Sequence, residues 1–260
     1  MDLLVIATTS LLVSLLTFFS GFGLGTLLLP AFALFVPVEL AVAATAVVHF
    51  ANNLFKAALV GRHADRTVLL RFIIPAVVFS FLGATLLMRI SEIPPLFTYA
   101  IGARDLSVTT VNLLVAFLMV VFALFDLIPG LDKLAFPRSW IPAGGALSGF
   151  VGGLSGHQGA LRTAVLIRLG LSKEAFIGTA VLCAVAVDFV RLGVYGFSFL
   201  RAPVEGGGDV WPLILAGTIA AFAGSFMGNK LLKKITLKKL HVFIGVMILL
   251  LAIALAIGVI

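Results

Sequence analysis

Long apolar runs, separated by short clusters of polar, charged and glycine residues, make up most of this chain. Seven of them, Leu3–Phe19, Val38–Val60, Leu69–Met88, Val108–Ile128, Ala175–Leu200, Trp211–Met227 and Val242–Ile260, are close to or above the ~20 residues that carry a helix across about 30 Å of hydrocarbon. Two more segments, Phe22–Val36 and Ile141–Leu169, are apolar but broken by glycine and polar residues. The pattern predicts an all-α polytopic membrane protein.

Composition agrees. Hydrophobic residues are 62% of the 260 and charged residues 11%, where a soluble domain carries about 25% charged residues to face water. Asp2 stands where a signal peptide would be basic, and no small-x-small cleavage site follows, so the first run is expected to be retained. A lone cysteine, Cys183, lies inside an apolar run and excludes an intrachain disulfide; packing is its simplest role. The net charge of +7 fits basic cytoplasmic loops rather than a nucleic-acid partner.

Sliding the chain by 135 positions aligns Ser20 with Ser155, Gly21 with Gly156, Glu39 with Glu174 and Gly61 with Gly196. Asn53 falls on Asp188 and Lys56 on Arg191. These polar coincidences predict two tandem repeats, residues 1–128 and 140–260, joined by a loop at 129–139. The acidic, glycine-rich Ala202–Asp209 and the Ser91–Leu106 connection have no close counterparts. Loops rich in Lys and Arg, Gly61–Arg71 and Lys230–His241, are expected on the cytoplasmic side. Both can lie there only if the halves are inverted, each beginning with a re-entrant helical segment followed by three transmembrane helices. The alternative, eight crossings with halves in the same orientation, leaves Arg62 and Arg66 outside.

Three constellations could carry chemistry. Each half opens with a glycine-rich break, Ser20-Gly21-Phe22-Gly23-Leu24-Gly25 and Ser155-Gly156-His157-Gln158-Gly159. A helix restarting after such a break offers unpaired N–H groups and the positive end of its dipole to an anion; close helix packing through small residues is the competing role. Arg162 adds a cation one turn later. His49, Asn52, Asn53 and Lys56 form a polar stripe on one helical face, costly toward lipid and expected to point inward; Lys56 could instead snorkel to the helix end. Asp188 and Arg191, three apart, could present a forked donor to an oxyanion or neutralise one another. Glu39 and Glu174 open their helices and suit capping, while Trp140 and Trp211 suit interface anchors. No metal cluster, cofactor motif or nucleophile–base pair is present in the sequence.

The run Ser20–Pro30, then Val36-Pro37 and Glu39-Leu-Ala-Val-Ala-Ala, resembles the N-terminal signature of the TauE/SafE family. Ser155-Gly-x-x-Gly, followed by Leu169-Gly-Leu-Ser172, resembles its second copy. The resemblance in layout covers essentially the whole chain. It implies a duplicated multi-helix exporter of sulfite or organosulfonates such as sulfoacetate, in a prokaryotic inner membrane and not an enzyme. Thr26 after Gly25, and His157-Gln158 within the second break, depart from a fuller glycine run. The expected partners are a small anionic substrate and the lipid bilayer, with a second copy of the chain as a candidate for a homodimer. No cofactor, metal or nucleic acid is expected. A passive anion channel and a non-transporting membrane scaffold are the rival classes.

Overall fold

A computed structural model describes residues 2–18, 24–102, 104–128, 136–167, 169–200, 209–231 and 238–259. The helices are α1 (Asp2–Thr17), α2 (Leu24–Ala33), α3 (Val38–Val60), α4 (Arg66–Ser91), α5 (Thr110–Leu127), α6 (Ile141–Ser155), α7 (Gly159–Leu166), α8 (Lys173–Arg191), α9 (Phe197–Phe199), α10 (Trp211–Leu231) and α11 (Lys238–Ala256). Four helical stretches, Val38–His63, Arg66–Ser91, Lys173–Gly196 and Trp211–Lys230, are long and apolar enough to cross a membrane, and four shorter apolar helices accompany them. Leu70, Ile74, Leu215, Ile219 and Leu250 expose large apolar side chains that only lipid would cover. The chain is a multi-pass, predominantly helical membrane protein.

One detail differs from the all-helical expectation. In and just past the Ser91–Leu106 connection, β1 (Phe97–Ile101) and β2 (Arg104–Val108) pair antiparallel, with Phe97 opposite Val108. Phe97, Thr98, Tyr99 and Ile101 give β1 aromatic and β-branched residues, and Gly102, at φ +62°, turns the chain. Helix starts also differ from expectation. Glu39 and Glu174 lie in first turns, but Ser172 caps α8 by accepting from the Ala175 N–H, and α3 begins at Pro37 without a side-chain cap. Asp65 and Thr109 cap α4 and α5 in the same way as Ser172.

Neither glycine-broken segment crosses as one helix. At ~1.5 Å per residue α6 is about 22 Å long and α7 about 12 Å, too short to span alone. They fold back on one another: Ser148 donates to the Gln158 carbonyl near the tip, and Gly144 meets Val165 near the open end. α2 likewise runs back along α3, with Gly25 near His49 and a tight turn at Phe32–Val36 joining the two.

Close packing pairs elements from opposite ends of the sequence. Gly145, Gly149 and Gly153 of α6 lie on Phe72, Ala76 and Ser80 of α4, and Gly217, Gly224 and Gly228 of α10 lie on Ile6, Leu11 and Leu15 of α1. In each pair the numbering rises together, so the helices run parallel. Missing side chains let backbone meet backbone, the usual way helices associate where lipid offers no hydrophobic drive. α3 and α8 instead run antiparallel: Gly61 touches Leu182, Gly178 meets Val60 and Ala64, and His49 reaches Asp188. α5 and α11 also run antiparallel, Gly245 against Leu127 and Gly258 against Ser107. The Gly61–Arg71 turn, the start of α8 and the end of α10 consequently lie at the same end of the bundle. Arg62, Arg66, Lys173 and Lys230 make that end basic.

Candidate functional site

The tip of the α6–α7 hairpin is built by Gly156. It ends α6 in the left-handed region, at φ +84°, which glycine adopts freely and other residues reach only with strain. Its missing side chain also admits Arg191: a methyl group there would stand 2.5 Å from Arg191 Nη1. On the opposite side, a methyl on Gly25 would stand 3.3 Å from the Gly156 carbonyl oxygen and 3.8 Å from His49 Cδ2. The start of α2 and the tip of the α6–α7 hairpin therefore meet, with His49 of α3 beside them.

Asp188 organises what lies there. His49 Nδ1 is 2.6 Å from its Oδ2, while Arg191 Nε at 3.0 Å, Arg191 Nη2 at 2.9 Å and Gln158 Nε2 at 3.1 Å converge on Oδ1. An ionised carboxylate only accepts, so Nδ1 of His49 carries the proton it donates. The Asn53 amide nitrogen lies against the ring, 3.1 Å from Nδ1 and 3.3 Å from Nε2. Arg162 Nη1 donates to Gln158 Oε1 at 2.9 Å, and Arg191 Nη1 reaches the Tyr195 hydroxyl at 3.4 Å. Tyr195 sits on the widened turn Leu192–Gly196 that continues α8. His157 stacks on Phe122 of α5 and holds Ser155 Oγ at 3.0 Å through Nδ1, while its buried Nε2 makes no hydrogen bond among the described residues.

Lys56 does not reach for the helix end. It is 6% exposed, and its Nζ lies 5.5 Å from the centre of the Phe18 ring. Asp188 and Arg191 are wholly buried and Arg162 is 2% exposed. Among the described residues Asp188 is the one buried carboxylate, set among three buried cations, Arg191, Arg162 and Lys56. Burying charge inside a membrane protein costs several kcal/mol unless it is paired, which makes this cluster expensive to maintain.

The polar stripe on α3 divides. His49 and Asn53 face α8, whereas Asn52 belongs to a neutral cluster between α1 and α10. There its amide nitrogen donates to Ser14 Oγ at 3.2 Å and its Oδ1 accepts from Ser225 at 2.8 Å, while Ser14 donates to the Ala221 carbonyl at 2.7 Å. Asn52 thus ties three helices together away from the charges. Ser155, Gly156, His157, Gln158, Gly159, Arg162, Asp188 and Arg191 gather around the second break, with Gly25, His49 and Asn53 against it. Ser20, Gly21 and Gly23 lie outside the described residues.

Sequence reasoning passed over Tyr195, Phe122 and Ser148. Tyr195, one turn past Arg191, had a usable signal in its i,i+4 spacing. Phe122 and Ser148 come from helices whose own patterns contain nothing unusual.

The Sulfite exporter TauE/SafE family profile matches residues 6–255, nearly the whole chain. No curated protein and no solved structure matches it. With four helices able to span a membrane and buried cations where the start of α2 meets the α6–α7 tip, the chain belongs to the TauE/SafE family of sulfite-exporter-type membrane transporters.

Proposed function

We propose that the chain exports a small anion, sulfite or an organosulfonate, across a prokaryotic inner membrane, by alternating access between two inverted repeats. One observation carries the anion: buried positive charge exceeds buried negative charge around the meeting of α2 and the α6–α7 tip. Leaving Arg162 out of the count, Lys56 and Arg191 still outnumber the single carboxylate. A sulfur oxyanion offers several charged oxygens to such a set, and charge-assisted hydrogen bonds are the strong ones. His157 Nε2, buried and unused, is a further donor or acceptor for it. The sulfur in this reading comes from the family.

The inverted arrangement is supported by direction. Repeat counterparts α3 and α8 run antiparallel, as do α5 and α11, while α1 on α10 and α4 on α6 exchange places between residues 1–128 and 140–260. The start of α2 meets the α6–α7 tip between these pairs. Inverted repeats with broken helices at the midplane bind substrate at the repeat interface and expose it alternately by rocking. The basic end, with Arg62, Arg66 and Lys230, faces the cytoplasm in this reading.

The test is efflux of sulfite and sulfoacetate from liposomes loaded with either anion. A carrier gives saturable, gradient-dependent flux that falls in Arg191→Ala and Gly156→Leu. Unchanged flux in both variants refutes this assignment of the site, and currents at channel rates refute alternating access.

A further inference from the structure

The pair His49–Asp188 has a property that anion binding does not call for. Oδ1 of Asp188 is saturated by Arg191 and Gln158, whereas Oδ2 is held by one group, the imidazole of His49 at 2.6 Å. Against that ring lies the Asn53 amide nitrogen, 3.1 Å from Nδ1 and 3.3 Å from Nε2. When Nε2 takes a proton from a hydronium ion, the Nδ1–H bond to Asp188 persists as a charged pair. The carboxylate thus supplies the counter-charge in a buried place where an unpartnered charge would be expensive.

We propose that His49, oriented by Asp188 and Asn53, is the binding site of a proton that moves together with the exported anion. This rests on the transport reading above and adds its coupling. The bookkeeping is simple: one N–H bond forms on Nε2, one O–H bond of a hydronium ion breaks, and the site gains one positive charge. The groups around His49 decide when that charge is tolerated. Arg191 of α8 and Arg162 of α7 act on it directly, and the other titratable groups nearby bear on those two: Tyr195 and His157 on Arg191, Cys183 and Lys56 on Arg162. The groups that α2, α4 and α10 bring to this part of the bundle, Thr26, Ser80 and Ser225, are neutral. The two guanidinium groups repel a proton on His49, and Asp188 offsets one of them. A bound anion offsets another, so proton and anion each raise the other's affinity by the same factor. The ring also touches the meeting point itself, through Cδ2 beside Gly25, and its bond to Asp188 bridges α3 and α8. A charge placed there is felt by both halves.

Proteoliposomes with a trapped pH dye and methanesulfonate as the probe test this, since a sulfonate does not titrate between pH 5.5 and 8 and any pH dependence belongs to the protein. Three results are expected. An imposed methanesulfonate gradient drives protons in the same direction at about one per anion. The KM for methanesulfonate falls by up to tenfold per unit decrease in pH. In His49→Gln the protons per anion fall to zero and the residual flux loses its pH dependence. If His49→Gln does not fold, Asp188→Asn, which removes the counter-charge held to Nδ1, must move the KM profile to lower pH. Wild-type methanesulfonate flux without proton movement overturns the inference alone. So does a loss of proton coupling in His157→Gln with coupling intact in His49→Gln. Absence of flux for both methanesulfonate and sulfite overturns the transport reading and this inference with it.

Discussion

Gly156→Ala is a small change that meets two obstacles at once. The backbone at φ +84° is left-handed, and an alanine there pays roughly 1–2 kcal/mol for its Cβ against the neighbouring carbonyl. Its new methyl also lands 2.5 Å from Arg191 Nη1, so the guanidinium has to withdraw by about 1 Å. That shift weakens the contacts at 3.0 and 2.9 Å to Asp188; losing one charge-assisted hydrogen bond costs about 1.5–3 kcal/mol, or roughly 10- to 150-fold in a binding constant. Gly170→Ala supplies the comparison, because Gly170 is also left-handed, at φ +69°, but has nothing within 4 Å of its added methyl. The two variants should lose similar stability from the backbone, read as detergent-solubilised melting temperatures, while only Gly156→Ala loses sulfite flux by tenfold or more. Equal flux in the two variants would show that Arg191 does not need its place beneath Gly156, and the geometry of the site would have to be reassigned.

Other substitutions separate charge, packing and polar glue. Lys56→Met and Arg162→Met each remove a buried cation and should raise the KM for sulfite at least tenfold, whereas Arg62→Gln, at the exposed turn after α3, should leave it within about twofold. Asn52→Leu breaks the Ser14–Asn52–Ser225 cluster and should lower thermal stability by about 1–3 kcal/mol with KM unchanged; a changed KM would return Asn52 to the anion site. Gly149→Leu drives a side chain into the backbone of α4 at Ala76 and should abolish recovery of folded protein, while Gly193→Leu, with open space around it, should be recovered normally.

Much of the architecture is legible in the sequence because lipid imposes simple rules. Unbroken apolar runs mark the long helices, and glycine marks both the hairpin tip and the faces where helices touch. The polar positions Asn53, Lys56, Asp188 and Arg191 single out α3 and α8, the two helices that carry the central charges, without coordinates. What they cannot find is contact across long separation. His49 and Asp188 lie 139 positions apart, and only the packing of α3 on α8 shows that they meet. Asn52 and Asn53 illustrate the same limit at close range. A single step along a helix rotates the side chain by about 100°, which turns one amide to the charged centre and its neighbour to a serine cluster. The β1–β2 hairpin was in principle readable, since Phe97-Thr-Tyr-Ala-Ile and Leu106-Ser-Val flank a glycine, but the apolar pattern around it drew every segment toward a helix.

The exchange of partners between α1 on α10 and α6 on α4 bears on how the chain can be made. When residues 1–128 have left the ribosome, α1 exists but the helix that seats its backbone has not been synthesised. Its serines, Ser10 and Ser14, must wait in the bilayer or at its edge until Gly217–Ser225 emerges. The α6–α7 hairpin has no such delay, because α4 is already in place when α6 arrives. Insertion should therefore proceed unevenly, with α1 held loosely and locked late. If the chain is severed within 129–139, neither fragment should survive quality control alone, and the two should rescue one another when produced in the same cell.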